Sequence, residues 1–365
     1  MRIGIDARLY GTKHRGLGRY VQKLVNGVVQ TDRQNDYVLF FTKDNIDSFK
    51  ERRPNVKMVL LDARWYSLKE QLIGARIIKK EQVDLMHFPH FNVPFLYHDN
   101  FVVTIHDLII KHFPDSRATN LPDWKYKLKL LGFDKVLHYA IKQSAKIIVP
   151  SNFVKNDVIS MFGVSENKIT VIYEGYFLDS TTRPADLARF KLTRPFLLYV
   201  GSAYPHKNLE RLVNVFKKIN QTKKYQLVLV GEMDKFYQRL KSTVGARDGL
   251  VFTGYLSESE LLALYQQARL YVFPSLSEGF GLPPLEAQGY GVPVVAADSS
   301  CLPEVLGESA VYFNPNSDQE MIKQITAVLL DKELRAKLVK QGFENVKKYS
   351  WDKMVDQTLK IYRQA

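Results

Sequence analysis

Two carboxylates flank a glycine-rich turn between residues 277 and 286, and this arrangement could hold an anionic ligand. A strand-like run, residues 270–275, leads into the turn, and a helix-like run, residues 285–290, follows it. Such a turn presents unpaired backbone N–H groups and the positive end of a helix dipole, which suits a diphosphate. Glu278 on the loop and Glu286 about one turn into the helix would then face hydroxyl groups of the same ligand. A sugar nucleotide combines both features; an ordinary strand–turn–helix with two solvated glutamates is the alternative.

A second loop adds a positive charge to the same half of the chain. A strand-like run ends at Gly201 and a helix begins near Asn208, which places Lys207 in the strand-to-helix connection. A lysine there can neutralise a phosphate, although lysines in such loops are more often only solvated. Its position on the first such connection of the domain that also carries Glu278 favours the phosphate role.

The first half of the chain holds further candidates. The loop at residues 11–20 offers backbone N–H groups and cations, but its glycine spacing does not fit a dinucleotide-binding fingerprint. His106 ends an apolar strand-like run, where functional side chains gather in parallel sheets. His87 and His90 could suggest a metal pair, but a zinc site is not expected from these two residues. The sequence also lacks the Asp-x-Asp metal signature of many nucleotide-sugar enzymes.

Length and composition restrict the class of protein. The chain has 365 residues, enough for two domains, with 45% hydrophobic and 25% charged residues. No apolar run approaches the length that spans a membrane, and residues 1–6 enter a strand pattern directly, so no signal peptide is expected. The single cysteine, Cys301, excludes an intrachain disulfide and fits a reducing compartment. These features predict a cytoplasmic protein.

Strand-like and helix-like segments alternate along the chain, which predicts an α/β fold with parallel sheets. Continuous apolar runs such as residues 101–105 are typical of strands buried on both faces. A polar stretch at residues 179–184 interrupts the alternation and is assigned as the linker. We therefore predict two Rossmann-like domains, 1–178 and 179–349, facing each other across a cleft. The terminal helix, residues 350–365, is predicted to pack back on the first domain.

The net charge of +14 indicates an anionic partner, and the lysines are densest in residues 123–146. The spacing there predicts a helix with Leu128 and Leu131 on its apolar face and Lys125 and Lys129 on the opposite stripe. Such a helix either packs on the core with a solvated lysine face or rests on an anionic membrane. The sequence holds no recognised nucleic-acid module, so a nucleic-acid partner is not expected.

Taken together, the motifs resemble those of the retaining glycosyltransferases of family 4, which have the GT-B fold. The resemblance covers nearly the whole chain in the correct order. It rests on residues 16–20 (Gly-Leu-Gly-Arg-Tyr), 104–107 (Thr-Ile-His-Asp), 149–153 (Val-Pro-Ser-Asn-Phe), 205–208 (Pro-His-Lys-Asn) and 254–256 (Gly-Tyr-Leu), and most specifically on the paired glutamates. Segments 201–208 and 278–286 look most like those of bacterial mannosyltransferase-type members that build surface polysaccharides.

The resemblance implies a role for each matching residue. Glu286 would bind the ribose of the donor nucleotide, and Glu278 a hydroxyl of the donor sugar. Lys207 would stabilise the charge that builds on the leaving diphosphate, and His106 would line the sugar pocket. The other donor contacts would be the backbone amides of Phe280, Gly281 and Leu282 at the sugar and diphosphate, Gly18 against the phosphate across the cleft, and Tyr255 and Leu256 at the base.

One departure from the family pattern leaves the phosphate side open. Many members carry arginine directly after the glycine that matches Gly201, whereas this chain has Ser202. Either His206 or Arg15 would supply the missing charge, or the leaving group would be stabilised less. Ser202 and His206 therefore count among the donor-binding candidates.

The resemblance implies a metal-independent enzyme without a cofactor that transfers a hexose, with mannose favoured, from a nucleoside diphosphate sugar. The acceptor would be a glycan or a polyprenyl-linked sugar, reached in the cytoplasm or from peripheral contact with the inner face of the cell membrane. The donor base stays open between guanine, uracil and adenine. A sugar-phosphate enzyme of the same fold, such as a phosphorylase or an epimerase, is the alternative function.

Overall fold

The computed structural model describes residues 1–11, 15–63, 65, 67, 69–114, 123–176, 182–245 and 248–365. The side chains of Arg15 and Asp123 lie outside this description, as do residues 179–181 of the predicted linker.

The strands follow the predicted alternation. They are β1 (Arg2–Asp6), β2 (Asp36–Phe41), β3 (Val56–Leu60), β4 (Leu85–Phe88), β5 (Phe101–Thr104), β6 (Lys146–Val149), β7 (Ile169–Val171), β8 (Phe196–Val200), β9 (Gln226–Val230), β10 (Leu250–Gly254), β11 (Leu270–Phe273), β12 (Val294–Ala297) and β13 (Ala310–Phe313). Many of them are buried along their whole length, because helices cover both faces of a parallel sheet.

Helices connect most of these strands. They are α1 (Arg15–Thr31), α2 (Ala75–Lys80), α3 (Ile109–His112), α4 (Asp123–Gln143), α5 (Asn152–Phe162), α6 (Leu209–Ile219), α7 (Lys235–Val244), α8 (Glu258–Gln267), α9 (Leu282–Gly289), α10 (Leu302–Leu306), α11 (Asp318–Leu330), α12 (Lys332–Val346) and α13 (Trp351–Tyr362). Among the described residues, no helix combines the length and the apolarity needed to span a bilayer.

The strands form two parallel sheets, which confirms the predicted fold class. One has the strand order β3-β2-β1-β4-β5-β6-β7, and the other has the order β10-β9-β8-β11-β12-β13. The order reverses between β1 and β4 in the first sheet and between β8 and β11 in the second. The loops at the carboxyl ends of two such strands diverge, and the crevice between them is where open α/β sheets bind ligands.

The chain divides into two compact units, each with one sheet. Unit 1 comprises Met1–Leu108, Thr119–Gly175 and Ser350–Ala365, and unit 2 comprises Ile109–Ala118 and Tyr176–Tyr349. Helix α3 therefore belongs with the second sheet, although it follows β5 of the first.

Helix α13 packs against α1 within unit 1 at very close range. A Cβ atom built on Gly27 of α1 would lie 2.2 Å from Cγ2 of Val355 on α13, so the absence of a side chain at Gly27 sets the helix spacing. The hydroxyl of Tyr362 lies 2.6 Å from Nδ1 of the buried His87 on β4. These contacts attach the last helix to both α1 and the sheet.

The faces of α4 differ from the predicted ones. The core-facing side chains include Tyr126, Val136 and Leu137, whereas Leu128 and Leu131 are 60% and 62% exposed. At 100° per residue, the core-facing residues lie roughly opposite these two leucines. The prediction was wrong for Leu128 and Leu131 because it grouped apolar residues from most of the helix circumference into one face.

Candidate donor site in unit 2

The glycine-rich turn connects β11 to α9 at the point where the strand order of the second sheet reverses. Gly281 precedes α9 with φ of 99°, and a Cβ atom there would lie 3.0 Å from Cδ2 of Leu302, so both backbone angle and space favour glycine. Pro283 and Pro284 occupy the first turn, where a missing N–H costs no helical hydrogen bond. The N-cap residue of α9, Gly281, has no side chain that could cap the helix.

Lys207 and Glu278 form an ion pair at this point. Lys207 Nζ lies 2.6 Å from Glu278 Oε1, with side chains only 15% and 10% exposed. Lys207 ends the 3-10 turn Pro205–Lys207 after β8, and its ammonium group also lies 5.8 Å from the ring centroid of Phe273. The structure therefore brings together a cation and a carboxylate that are 71 positions apart in sequence.

A backbone hydrogen bond joins the two loops that carry this pair. The N–H of Leu276 donates to the carbonyl of His206 at 2.7 Å. The two loops diverge from neighbouring strands, β8 and β11. Their direct link fixes the loop that carries Lys207 against the loop that carries Glu278.

Glu286 lies in the second turn of α9, on the same strand-to-helix connection. The hydroxyl of Tyr265 donates to Glu286 Oε2 at 3.2 Å, and the glutamate is 9% exposed. Tyr265 in turn stacks on Tyr290, with ring centroids 5.3 Å apart. The sequence did not indicate Tyr265, because its link to Glu286 depends on the packing of α8 beside α9.

Three consecutive side chains after β12 hold the Glu278 loop, and none of them was predicted. Ser299 Oγ donates to the carbonyl of Leu276, and Cys301 Sγ lies 3.1 Å from the carbonyl of Phe280. Between them, Ser300 Oγ accepts the N–H of Glu278 at 3.0 Å. The three bonds fix alternate residues of the loop from one side. Burial raises the pKa of the Cys301 thiol well above its usual value, so this group acts here as a neutral donor.

The other predicted donor contacts of unit 2 differ in exposure. Phe280 and Gly281 are buried, and Leu282 is half-buried. Tyr255 follows β10 with 81% of its surface exposed, whereas Leu256 beside it is buried. An exposed aromatic ring on such a loop is available to stack on a planar group such as a nucleobase.

The backbone at Gly201 and Ser202 is held by the side chain of Tyr199. Gly201 has φ of 154°, and a Cβ atom there would lie 2.7 Å from the hydroxyl of Tyr199. That hydroxyl donates to the carbonyl of Ser202 at 2.8 Å. An arginine at position 202 would extend a positive charge from this backbone, whereas the serine hydroxyl is neutral.

His206 does not supply the missing charge near neutral pH. Burial, assisted by the neighbouring Lys207 ammonium, lowers the pKa of His206 to about 4. Its ring stacks on Tyr204, with centroids 5.9 Å apart. Of the two residues considered as substitutes for the family arginine, His206 is therefore neutral, and the side chain of Arg15 lies outside the described part of the chain.

His106 of unit 1 follows β5 and has both ring nitrogens engaged. Nδ1 lies 3.0 Å from Glu174 Oε1, and Nε2 lies 3.0 Å from the carbonyl of Pro89. The ring of Tyr20 packs edge-on at 4.5 Å. Both partners are acceptors, and a neutral imidazole has a single N–H, so a neutral His106 can donate to only one of them.

Gly18 lies inside α1 rather than in a loop before it. The helix begins at Arg15, so residues 16–20 form its first turns, and the prediction that they are a loop was wrong. The apolar residues Tyr20, Val21 and Leu24 are buried at helical spacing. Their burial stabilises α1, and the preceding glycines lie in its first turns. The hydroxyl of Tyr20 lies 3.2 Å from Oγ1 of Thr104, which connects this turn to the end of β5.

The two histidines considered as a metal pair have other surroundings. His87 contacts Tyr362 and Thr104 through its two nitrogens, and His90 packs against Phe91 with ring centroids 4.0 Å apart. In the part of the chain that the structure describes, no three His, Cys, Asp or Glu side chains are grouped so that they could hold a metal ion.

Family models match both halves of the chain. Residues 14–179 match the model described as Glycosyltransferase Family 4, and residues 186–345 match the model described as Glycosyl transferases group 1. O-antigen chain mannosyltransferase B of Escherichia coli is 27% identical, with 95% of this chain and 96% of that protein covered. O-antigen chain mannosyltransferase RfbU of Salmonella typhimurium is 29% identical over 72% of this chain and 70% of that protein.

Solved structures share the fold at lower identity. Sucrose-phosphate synthase from Thermosynechococcus elongatus has a TM-score of 0.76 at 21% identity, covering 100% of this chain and 98% of that one. WaaG, a glycosyltransferase involved in lipopolysaccharide biosynthesis, has a TM-score of 0.74 at 14% identity, covering 99% of each chain.

Proposed function

The chain is a glycosyltransferase of family 4 with the GT-B fold, and from this premise we propose what it transfers. The donor is a nucleoside diphosphate hexose, with mannose as the sugar, and the acceptor is a glycan or a polyprenyl-linked sugar. Two relatives that the chain matches over most of its length are named as O-antigen mannosyltransferases, which supports mannose and a surface-polysaccharide acceptor. We assign the reaction to the inner face of the cell membrane, where such an acceptor would be elongated.

The observation that carries the donor assignment is the Lys207–Glu278 pair beside the N-terminus of α9. Its two members suit different parts of a sugar nucleotide. The ammonium group offers charge to a diphosphate, and the carboxylate accepts hydrogen bonds from sugar hydroxyls. Glu286, in the next turn, is placed to accept hydrogen bonds from ribose hydroxyls. The 2.6 Å contact with Lys207 orients the Glu278 carboxylate.

In the proposed reaction the C1–O bond to the diphosphate breaks and its electron pair stays on the departing phosphate oxygen. The acceptor hydroxyl oxygen forms the new bond to C1 on the face that the diphosphate leaves, so configuration is retained. The hydroxyl proton passes to the departing phosphate oxygen. Lys207 and the N–H groups at the start of α9 stabilise the negative charge that grows there, and no metal ion is required in this scheme.

The assignment is tested by removing each member of the pair. Lys207→Ala and Glu278→Ala should each lower transfer from the correct nucleotide sugar by about a hundredfold or more, because the stabilised charge exists mainly in the transition state. Lys218→Ala is the matched control, since it breaks a 2.9 Å pair with Asp318 in the same unit. Near-normal transfer by both site variants, with wild-type melting temperatures, would refute the site.

The donor and the mechanism need separate measurements. Thermal stabilisation by GDP-, UDP- and ADP-sugars identifies the base, because a ligand of the folded state raises the melting temperature. NMR of the product's anomeric configuration tests retention, and full activity in a chelator tests metal independence. Conversion of the donor into another nucleotide sugar without an acceptor would instead favour the epimerase class. Release of sugar 1-phosphate from a glycan and inorganic phosphate would favour the phosphorylase class. The roles of His106 and Gly18 stay predictions.

A further inference from the structure

Helix α4 of unit 1 carries an apolar stripe on its outer face. Trp124, Leu128 and Leu131 are exposed by 62%, 60% and 62%, although each is a large apolar side chain. Their spacing of four and then three residues places them on one side of the helix, within about 60° of each other. We call these three residues the Trp124 stripe. Core packing does not explain the stripe, because the opposite side of α4 is the one that is buried.

Lysines surround the Trp124 stripe. Lys125, Lys127 and Lys135 are all exposed. Lys135 continues the line of the stripe one turn after Leu131, and Lys127 lies about 60° to one side. The ammonium group of Lys125 lies 5.2 Å from the ring centroid of Trp124. A surface with apolar side chains in its centre and ammonium groups on flexible stems around it fits a layer of acyl chains beneath anionic headgroups.

Exposed apolar side chains continue on the segments packed beside α4. Phe91 contacts Phe133 with ring centroids 4.7 Å apart, and Phe95 contacts Tyr139 at 5.2 Å, so residues 91–98 lie along the helix. Leu96 in this segment is 48% exposed. A further exposed apolar side chain therefore lies on the segment that packs against α4.

We propose that the Trp124 stripe and its lysines form a docking surface for an anionic lipid bilayer, with α4 lying in the plane of the interface. The charge selects this occupant: the three exposed lysines Lys125, Lys127 and Lys135 adjoin the stripe, which disfavours a second copy of the same basic chain. Trp124 suits the headgroup level, where its ring is buried and its N–H stays hydrated. The proposal rests on the proposed function for its purpose, which is access to a lipid-linked acceptor, but the binding itself does not depend on catalysis.

Vesicle binding of the full chain tests this surface. The protein is sedimented with vesicles of phosphatidylcholine alone and of phosphatidylcholine mixed with phosphatidylglycerol, at low and high salt. We expect binding to the anionic vesicles that weakens with salt. The triple variant Trp124→Gln/Leu128→Gln/Leu131→Gln should bind about a hundredfold more weakly or worse. Lys127→Gln/Lys135→Gln should bind about thirtyfold more weakly, at about 1 kcal/mol per lysine.

Two controls keep the outcome decisive. Leu330→Gln/Phe343→Gln removes exposed apolar side chains from unit 2, 72% and 43% exposed, and should leave vesicle binding unchanged. Nucleotide-dependent thermal stabilisation should be normal in every variant, so a failure of membrane binding is separable from a failure of the proposed function. Equal binding of the triple variant and the wild type, or equal binding to neutral and anionic vesicles, would overturn the proposal. Dimers of the wild type that dissociate in the triple variant would instead assign the stripe to self-association.

Discussion

Ser300 connects backbone strain to the position of a candidate catalytic group. Its φ of 52° is in the left-handed region, which a serine rarely adopts, and its Oγ accepts the N–H of Glu278. Residues that keep such a conformation cluster at functional sites. We infer that Ser300 acts as a positioning residue, through Glu278.

Ser300→Gly should therefore separate positioning from stability. Glycine tolerates the backbone angle but cannot hold the Glu278 N–H, so transfer should fall about tenfold, the equivalent of roughly one hydrogen bond. The unfolding free energy should change little, because relief of strain offsets the lost bond. Lys191→Gly is the matched control: Lys191 has φ of 51° in the same unit, and its replacement should leave transfer unchanged. A wild-type kcat and KM in Ser300→Gly would contradict the positioning role.

At this scale, the sequence was sufficient to identify the candidate ligand-binding residues. It was not sufficient to identify the residues that hydrogen-bond to them. Glu278, Glu286 and Lys207 stood out because their types and spacing fit one ligand. Ser300 and Tyr265 did not, because each contacts its glutamate only after strands and helices some twenty residues apart have packed. The neutrality of His206 also follows from burial, which one loop sequence does not reveal.

At the scale of elements, the contact between α1 and α13 is close enough at Gly27 to be tested by one substitution. Gly27→Ala should place a methyl group 2.2 Å from Val355 Cγ2 and lower the unfolding free energy by about 1–3 kcal/mol. The higher helix propensity of alanine alone would raise the unfolding free energy by about 1 kcal/mol. The loss of stability should be smaller in a Val355→Ala background. Denaturant unfolding of the wild type, the two single variants and the double variant measures this difference as a coupling energy.

Gly132→Ala is the control for this pair. Gly132 lies within α4 with no atom near its virtual Cβ, so alanine there should stabilise the chain by up to about 1 kcal/mol. A Gly27→Ala chain that is as stable as Gly132→Ala would show that α1 and α13 are not packed as described.

The strands other than β13 were predictable from sequence because buried parallel strands are short, continuous and apolar. Strand β13 was not assigned from the sequence. The buried faces of the helices were harder to predict. In α4 the apolar residues occupy two sides, and sequence spacing alone does not say which side the sheet covers. In α1 the glycines at 16 and 18 suggested a loop, whereas the buried residues that follow keep them helical.

At the scale of the whole molecule, the alternation of strands and helices predicted the fold class, and the ordered motifs predicted the family; both are confirmed. The grouping of Ile109–Ala118 with unit 2 was not visible in the sequence, because a short helix after a strand reads the same whichever sheet it accompanies. Assignment to a unit depends on long-range contacts, which no local pattern encodes.

Buried histidines in both units should make the whole molecule sensitive to acid. Burial, with the nearby His106 as a smaller cause, lowers the pKa of His87 and of His90 to about 3, and the pKa of His206 is about 4. All three lie below the ordinary value of 6.5, so between that pH and the lowered pKa the unfolded chain binds more protons than the folded chain. The unfolding free energy should therefore be highest above pH 6.5 and fall as the pH drops through this window.

Urea unfolding at a series of pH values from 7 to about 4 measures the slope, to which each such histidine adds at most about 1.4 kcal/mol per pH unit. Glu70, whose pKa burial raises, acts in the opposite direction. Asp248 and Glu260, whose pKa values are lowered by hydrogen bonds from Arg194 and from the Ser257 backbone, act in the same direction as the histidines towards pH 4, so the variants isolate the histidine share. His206→Gln should flatten the dependence by removing one group, whereas His138→Gln, at an exposed position of α4, should not. Stability that is constant across this range in the wild type, or a slope unchanged by His206→Gln, would show that these imidazoles are not held neutral by the fold.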